Sequence, residues 1–137
     1  MKKLVFGVVM ALVFTGCNVY VEEEPVPYDV RDRFVGTYEI EEYSELLDAI
    51  SYFNVRISKD YYDDYVIYLD NFYGSGFEVY AEVTGNKIRI PFQRVGFYEI
   101  EGYGSIYQGE LSLTYSVEDI DSYYDSYDYC ESIGYRY

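Results

Sequence analysis

The feature that most restricts the fold of this chain is a period-two alternation of apolar and polar residues, which continues from Arg31 almost to the C-terminus. Successive side chains of a β-strand point to opposite faces, so such alternation predicts strands with one buried and one solvated face. The alternating rows are 34–41, 53–58, 65–69, 77–83, 87–90, 98–100, 111–117 and 129–136. The sequence therefore predicts an all-β domain.

Turn-forming residues separate these rows. Gly85-Asn86 stands between two rows as a two-residue hairpin signal, and Gly74-Ser75-Gly76 marks another hairpin. Gly102 and Gly104, on either side of Tyr103, and Gly109 predict further turns, and Pro91 predicts a strand end or an edge. Only the segment 44–51 has a helical pattern, with Ser44 as the cap and Leu46 and Ile50 on one face.

About eight strands joined in sequence order predict an antiparallel meander, and a sheet of that size must close or split. Closure removes exposed edges, so we expect a small barrel, with a two-sheet sandwich as the alternative. The apolar faces place six side chains in one core: Tyr38, Val55, Ile67, Val79, Ile90 and Leu113. Six bulky inward rings predict a largely filled interior: Phe34, Tyr38, Phe53, Tyr65, Phe77 and Tyr115. Gly36 and Ala81 are the small inward positions that leave room for a shallow recess.

The N-terminus has the pattern of an export signal. Lys2 and Lys3 precede an apolar stretch over residues 4–14, which is too short to span a bilayer but suits a signal peptide. Thr15-Gly16-Cys17 resembles a bacterial lipobox, so Cys17 is the predicted lipidation site and first mature residue. The alternative is an ordinary secretory signal with an incidental cysteine. The predicted organisation is a signal peptide (1–16), a tether (17–30) and a β-domain (31–137).

The tether carries Glu22-Glu23-Glu24 followed by Pro25 and Pro27, a composition typical of an extended linker. An acidic run directly after a lipidated cysteine also resembles the surface-export signal of Bacteroidota lipoproteins; a plain solvated spacer is the alternative. We therefore predict an outer membrane lipoprotein of the bacterial cell envelope, anchored to the membrane by its lipid, with surface exposure left open.

The charge and the residue types exclude several function classes. The chain has a formal net charge of −15, which becomes −17 when Lys2 and Lys3 are removed with the signal. A field of this sign repels phosphate backbones, so nucleic acid is not an expected partner. The chain contains no histidine, which removes the commonest general base and zinc ligand. Cys130 has no partner if Cys17 is lipidated; a buried thiol is the preferred interpretation, and an intermolecular disulfide the alternative.

Acidic clusters at residues 60–64 and 119–125 offer oxygen ligands of the kind Ca²⁺ binds. The second cluster lacks the glycine and the final glutamate of an EF-hand, and solvated loops are the preferred interpretation of both. With 25 acidic residues, some carboxylate pair reaches glycosidase spacing by chance. No metal, no cofactor and no catalytic residue is predicted, and the protein is not expected to be an enzyme.

Tyrosine is unusually frequent, with 21 residues, and some of these rings fall outside the strand cores. Tyrosine gives a large contact area at low entropic cost, so an exposed cluster suits a sugar or a partner protein. The candidate binding residues are Tyr61, Tyr62, Tyr123, Tyr124 and Tyr127, together with Tyr129. The alternative is that these rings only cover strands and barrel ends. Arg56, Arg89 and Arg94 are expected to face outward and pair with neighbouring carboxylates.

The start of the β-domain, Phe34-Val35-Gly36-Thr37-Tyr38, resembles the Gly-x-Trp opening of calycins, the lipocalin and avidin group, with Tyr38 in place of the tryptophan. The segments 88–93, 100–104 and 113–115 are similar to small calycin-like lipoproteins of Bacteroidota. The resemblance implies a barrel and a cavity for an apolar ligand.

Taken together, these features predict a membrane-tethered, non-catalytic binding or structural module. Its expected partner is a protein or a small apolar ligand. The alternative is a cell-surface glycan-binding lipoprotein that uses its exposed tyrosines.

Overall fold

The computed structural model describes residues 28–124 and 126–137. Cys17, the signal segment 1–16, the tether as far as residue 27, and Asp125 lie outside the described residues. A 3₁₀ helix, Val30–Arg33, precedes eight strands. The strands are β1 (Gly36–Ser44), β2 (Ala49–Lys59), β3 (Val66–Phe72), β4 (Phe77–Thr84), β5 (Lys87–Val95), β6 (Tyr98–Tyr107), β7 (Glu110–Asp119) and β8 (Tyr127–Arg136).

Each strand pairs antiparallel with the next, and β8 pairs back onto β1, so the sheet is a closed barrel. The closing ladder runs from the pair Tyr38 and Arg136 to the pair Ser44 and Cys130. Closure of the eight described strands leaves none of them with a free edge to pair with another chain. The predicted meander and barrel are confirmed, and the sandwich alternative is wrong.

The meander gives the barrel two different ends. One end, here called the helix end, carries the 3₁₀ helix, the C-terminus and the connections at 60–65, 85–86 and 108–109. The other, here called the loop end, carries the connections at 45–48, 73–76, 96–97 and 120–126. Side chains on consecutive connections therefore lie at opposite ends of the barrel.

Two predicted hairpins are confirmed, at Gly85-Asn86 and at residues 74–76. The predicted helical segment 44–51 is wrong, because β1 continues to Ser44 and β2 begins at Ala49. Asp48 has a positive φ of 47°, which closes a tight turn between the two strands. The Ser44 hydroxyl, predicted as a helix cap, accepts from the backbone N–H of Leu47 within this turn at 3.2 Å.

The turns predicted at Gly102 and Gly104 are also wrong. Both glycines lie inside β6, where Gly102 faces Tyr115 and Gly104 faces Leu113 across the ladder to β7. A Cβ atom at Gly102 would lie 2.4 Å from Tyr115 Cβ and 2.5 Å from the Thr114 carbonyl oxygen. Glycine stands at this position because the neighbouring strand leaves no space for a side chain.

Pro91 lies within β5, at a bulge where the register to β6 shifts between Ile90 and Gln93, so it neither ends a strand nor marks an edge. In β4, only Glu82, Val83 and Thr84 pair directly with β5. Farther along, the Gln93 side-chain amide accepts from the Tyr80 N–H at 3.0 Å and donates to the Tyr80 carbonyl at 2.9 Å. The Gln93 amide thus continues the hydrogen bonding that the bulged backbone no longer provides.

The six predicted core side chains are all buried, which confirms the strand registers. Of the six bulky rings, Phe34, Tyr38 and Tyr115 are fully enclosed, whereas Phe53 and Phe77 are half-buried at the edge of the core. The prediction that the Tyr65 ring lies inside the barrel is wrong. It is 62% exposed, because β3 begins one residue later, at Val66. Phe72, which the sequence did not single out, packs in the core with its ring 4.3 Å from that of Tyr115.

Candidate functional site

The helix end of the barrel is locked by Arg31, a charged residue that is only 6% exposed. Its Nη1 donates to the carbonyl oxygens of Asp60, Asp63 and Val66 at 2.8, 2.8 and 3.2 Å. Its Nε and Nη2 donate to the Asp29 carboxylate, and the hydrogen bond from Arg31 is the main reason the pKa of Asp29 lies well below its usual range. One guanidinium therefore joins the 3₁₀ helix to the β2–β3 connection.

A second arginine covers the core from the C-terminal strand. The Arg136 guanidinium carbon lies 5.3 Å from the centre of the Tyr38 ring, within cation–π range, and Nη2 donates to the Arg33 carbonyl. The Tyr38 side chain is fully buried, and its hydroxyl donates to the Phe34 carbonyl at 2.8 Å. Gly36, expected as part of a recess, instead lies against the Arg136 side chain. This end of the barrel is closed by its own residues.

The loop end contains the main feature that sequence reasoning missed, a buried polar cluster inside the barrel. The cluster comprises Glu42, Ser44, Asp128, Cys130 and Ser132, with hydroxyls contributed by Tyr73 and Tyr115. The alternation of residues along β1 and β8 already indicates that these side chains point inward. Glu42 and Ser44 continue the inward parity of Tyr38 and Ile40, and β8 alternates in the same way, with the even-numbered positions inside.

The two carboxylates of this cluster take hydrogen bonds from different groups. Glu42 accepts from the Tyr115 hydroxyl and from Ser132 Oγ, the latter at 2.6 Å. Asp128 accepts from Ser44 Oγ at 2.7 Å, from the Tyr73 hydroxyl, and from the Leu46 N–H at 3.1 Å. Both carboxylates are satisfied by donors of the barrel itself, as buried polar groups must be.

Burial raises the pKa of each carboxylate in this cluster, and hydrogen bonds from neighbouring donors lower it. Burial raises the pKa of Glu42, and the hydrogen bonds from Ser132 and Tyr115 offset only part of that effect. Burial also acts to raise the pKa of Asp128, but the donors Ser44 and Tyr73 outweigh it and leave that pKa below its usual value. Burial raises the pKa of the Cys130 thiol far above its usual range. Cys130 is buried, as predicted, and forms no disulfide with any residue of 28–124 or 126–137.

These shifts predict an opposite pH dependence for Glu42 and Asp128. The pKa of Glu42 is raised on folding, so its contribution to stability is complete below its unfolded pKa and is lost as pH rises through the folded pKa. Asp128 contributes above its unfolded pKa, and this is lost as pH falls through its lowered pKa. Compared with Glu42→Gln, the wild type should become relatively more stable as the pH falls from neutral toward about 4. Compared with Asp128→Asn, the wild type should become relatively less stable as the pH falls from about 4 toward about 2.

Urea unfolding of the three proteins between about pH 2 and 9 measures these differences, and comparison with each variant cancels the effect of the other acidic residues. Parallel curves for wild type and Glu42→Gln would contradict the raised pKa.

The predicted tyrosine sites do not form one surface. Tyr61 and Tyr62 project from the helix end with their rings 4.9 Å apart, whereas Tyr123 and Tyr124 project from the loop end. All four are almost fully exposed. Tyr127 is half exposed and lies on the barrel wall beside Tyr129, with ring centres 5.7 Å apart.

The acidic loops hydrogen-bond to their own backbones. Asp60 accepts from the N–H groups of Tyr62 and Asp63 at 2.9 and 2.8 Å, and the hydrogen bond from Tyr68 is the main cause that lowers the Asp60 pKa. Asp119 accepts from the Asp121 N–H at 3.0 Å. In the part of the chain that the structure describes, no group of three or more His, Cys, Asp or Glu residues is placed to hold a metal ion.

Two of the three predicted arginine pairs are confirmed. Arg89 contacts Glu82 at 2.8 Å and Arg94 contacts Glu99 at 2.9 Å. Arg56 has no ion pair with any residue of 28–124 or 126–137.

The barrel wall carries a depression of about 260 Å³ across β5 to β8, here called the wall groove. Its polar floor includes Ser116, and aromatic side chains stand around it. The side chains that line it include Arg89, Phe92, Glu101, Tyr103, Ser116 and Tyr129. Of these, the sequence had singled out Tyr129 as part of an aromatic surface and Arg89 as an outward cation. The groove itself depends on cross-strand neighbours that a sequence does not reveal.

No protein-family model matches the chain, and no curated protein matches it. Among solved structures, a redesigned β-barrel superposes on the chain with a TM-score of 0.54 at 10% sequence identity. The match covers 81% of this chain and 97% of that chain. A likeness at such low identity concerns the fold alone, and it agrees with the closed barrel described above. Within the described residues, no helix is long and apolar enough to cross a membrane.

Proposed function

We propose that the protein is an exported, membrane-tethered lipoprotein of the calycin-like kind found in Bacteroidota, and that it acts as a non-catalytic binding module through the outer surface of its barrel. The observation that carries the proposal is the contrast between the two faces of the sheet. The inward face is occupied by the barrel's own side chains, including Phe34, Tyr38, Phe72 and Tyr115, and the outward face presents many solvated aromatic rings.

The membrane anchor rests on the sequence. A short apolar stretch that ends in Gly16-Cys17 supports acylation of Cys17, and a diacylglycerol chain binds membranes through buried CH₂ groups worth about 0.8 kcal/mol each. The acidic, proline-containing segment that follows would hold the barrel away from the lipid surface. A protein partner or a ligand would then meet the barrel wall and its loops.

The environment of the two buried carboxylates supports the proposal that the protein is not a catalyst. Glu42 and Asp128 lie inside the barrel, and each carboxylate is engaged by two or more donors of the protein. Both groups serve as buried hydrogen-bond acceptors that hold β1, β7 and β8 in register.

Replacing Cys17 by Ser tests the anchor. The Cys17 thiol is the group that a diacylglycerol transferase would modify, so Cys17→Ser should retain its signal peptide and take up no radiolabelled palmitate. Cys130→Ala is the matched control, since it removes the other cysteine and should leave labelling and fractionation unchanged. Palmitate incorporation into Cys17→Ser equal to that of the wild type would refute the anchor.

The alternative use of the barrel is carriage of a small apolar ligand in its interior, as in the proteins it resembles. A displacement assay with a fluorescent fatty acid separates the two. We expect no stoichiometric displacement, because large buried side chains occupy the inward positions of the barrel. Tight, one-to-one displacement would favour carriage over the outer-surface proposal.

A further inference from the structure

The wall groove has the construction of a small binding site. Outward positions of adjacent strands lie side by side, so Glu101 on β6 faces Ser116 on β7, and Ser116 faces Tyr129 on β8. One step along the strands, Arg89 on β5 faces Tyr103 on β6. Small residues on β7 therefore form a floor between larger side chains on both sides.

The bulge in β5 shapes one wall of the groove. Two residues, Pro91 and Phe92, are inserted opposite the single residue Glu101, and this turns the Phe92 ring outward. The rings of Phe92, Tyr103 and Tyr129 are 61%, 64% and 49% exposed. Three aromatic side chains thus stand around a depression with their surfaces still available.

Ser116 presents its hydroxyl to the floor of the wall groove. It faces outward, yet it is only 7% exposed because its neighbours surround it. Its hydroxyl makes no hydrogen bond to any residue of 28–124 or 126–137, although every fully enclosed polar side-chain atom of those residues has a partner. The Ser116 hydroxyl therefore keeps a small accessible area that opens into the wall groove, where it is available to hydrogen-bond a bound molecule.

We propose that the wall groove binds a neutral hexose ring of a glycan chain. The inference rests on the proposed function, because it names the ligand class of the same outer surface. Aromatic faces pack against the C–H surface of a sugar ring, and hydroxyl, carboxylate and guanidinium groups hydrogen-bond its hydroxyls. Ser116, Glu101 and Arg89 provide these polar groups around the rings of Tyr103 and Tyr129.

The charges of the site and of the chain select a neutral ligand. Arg89 already pairs with Glu82, and Glu101 adds a negative charge beside the groove, so no free cation is left to attract an anion. The net charge of −15 repels phosphorylated or acidic sugars at longer range. The groove is open to solvent and about 260 Å³ in volume, which suits one ring of a chain whose other rings remain outside.

Isothermal titration of the purified full-length lipoprotein, in a zwitterionic detergent that contains no sugar, tests the proposal. The probes are maltohexaose, cellohexaose and mannohexaose. We expect at least one to bind. Tyr103→Ala and Tyr129→Ala should each weaken that binding by about tenfold or more, and Ser116→Ala by about threefold to tenfold. Tyr52→Ala is the matched control, since Tyr52 lies on β2 outside the groove and is 69% exposed, close to the value for Tyr103.

Absence of binding by all three oligosaccharides would overturn the inference, and so would binding that persists unchanged in Tyr103→Ala and Tyr129→Ala. Circular dichroism of each variant confirms that the barrel is folded. Neither result bears on palmitate labelling at Cys17, so the lipoprotein proposal fails or stands separately.

Discussion

Tyr115→Ala is expected to lower the free energy of unfolding by about 3–5 kcal/mol, the range for removing a large buried aromatic ring. Tyr115 is only 2% exposed, and its ring contacts those of Phe72 and Tyr73 at centre distances of 4.3 and 6.3 Å. The substitution also removes the hydroxyl that donates to the buried carboxylate of Glu42. The loss therefore combines an empty volume with a weakened acceptor site. Urea denaturation at neutral pH measures it.

Tyr115→Phe separates these two contributions. It keeps the ring and removes only the hydrogen bond to Glu42, so we expect a loss of about 1–3 kcal/mol. Tyr52→Ala, an exposed tyrosine on β2, should change stability by no more than about 0.5 kcal/mol. Equal stability of wild type and Tyr115→Ala would mean that the interior at the loop end is not packed as described.

Arg31→Ala is expected to lower the free energy of unfolding by about 3 kcal/mol, near the lower limit for breaking a buried ion pair. The guanidinium satisfies three carbonyl oxygens of the segment 60–66, and the Asp29 carboxylate as well. Asp29 keeps partial access to water and a second partner in Lys59, which limits the penalty. The loss should be accompanied by faster amide exchange in the β2–β3 connection, because that loop is held to the 3₁₀ helix by Arg31.

Arg33→Ala is the matched control for Arg31. It lies on the same 3₁₀ helix, but its side chain is exposed and its carbonyl, which accepts from Arg136, is retained in the variant. Arg31→Lys should recover only part of the loss, since a single ammonium cannot reach all the positions of the guanidinium fork. If Arg31→Ala and Arg33→Ala have the same stability, the helix end is not locked by Arg31.

The errors of the sequence-based predictions have identifiable physical causes. The segment 44–51 satisfies a helical pattern locally, but the ladder between Ser44 and Ala49, and the hydrogen bond from Ser44 to Asp128, place it in a hairpin. Gly102 and Gly104 read as turn residues, because a glycine in a turn and a glycine beneath a neighbouring strand have the same sequence signal. In both cases contacts with a neighbouring strand decide the local structure.

For the candidate sites too, part of the arrangement was predictable from the sequence and part depends on the tertiary structure. The inward position of Glu42 follows from the parity of its strand, so it was predictable in principle, whereas its proximity to Ser132 requires the closing ladder between β1 and β8. Likewise Tyr129 was identifiable as an exposed aromatic residue, but its place beside Ser116 and across the groove from Phe92 depends on strand register and on the β5 bulge. The two tyrosine pairs of the loops looked equivalent in sequence and lie at opposite ends of the barrel.

The sequence by itself determined the strands, most of their inward faces and the meander order, because alternation and hairpin turns are local properties that each short segment expresses. Only the tertiary structure decided that β8 closes on β1, that Arg31 and Arg136 seal one end, and that carboxylates gather inside the other. It also decided where the wall groove lies. These features arise from contacts between residues as much as 103 positions apart, and such contacts form only once the register of every intervening strand is fixed.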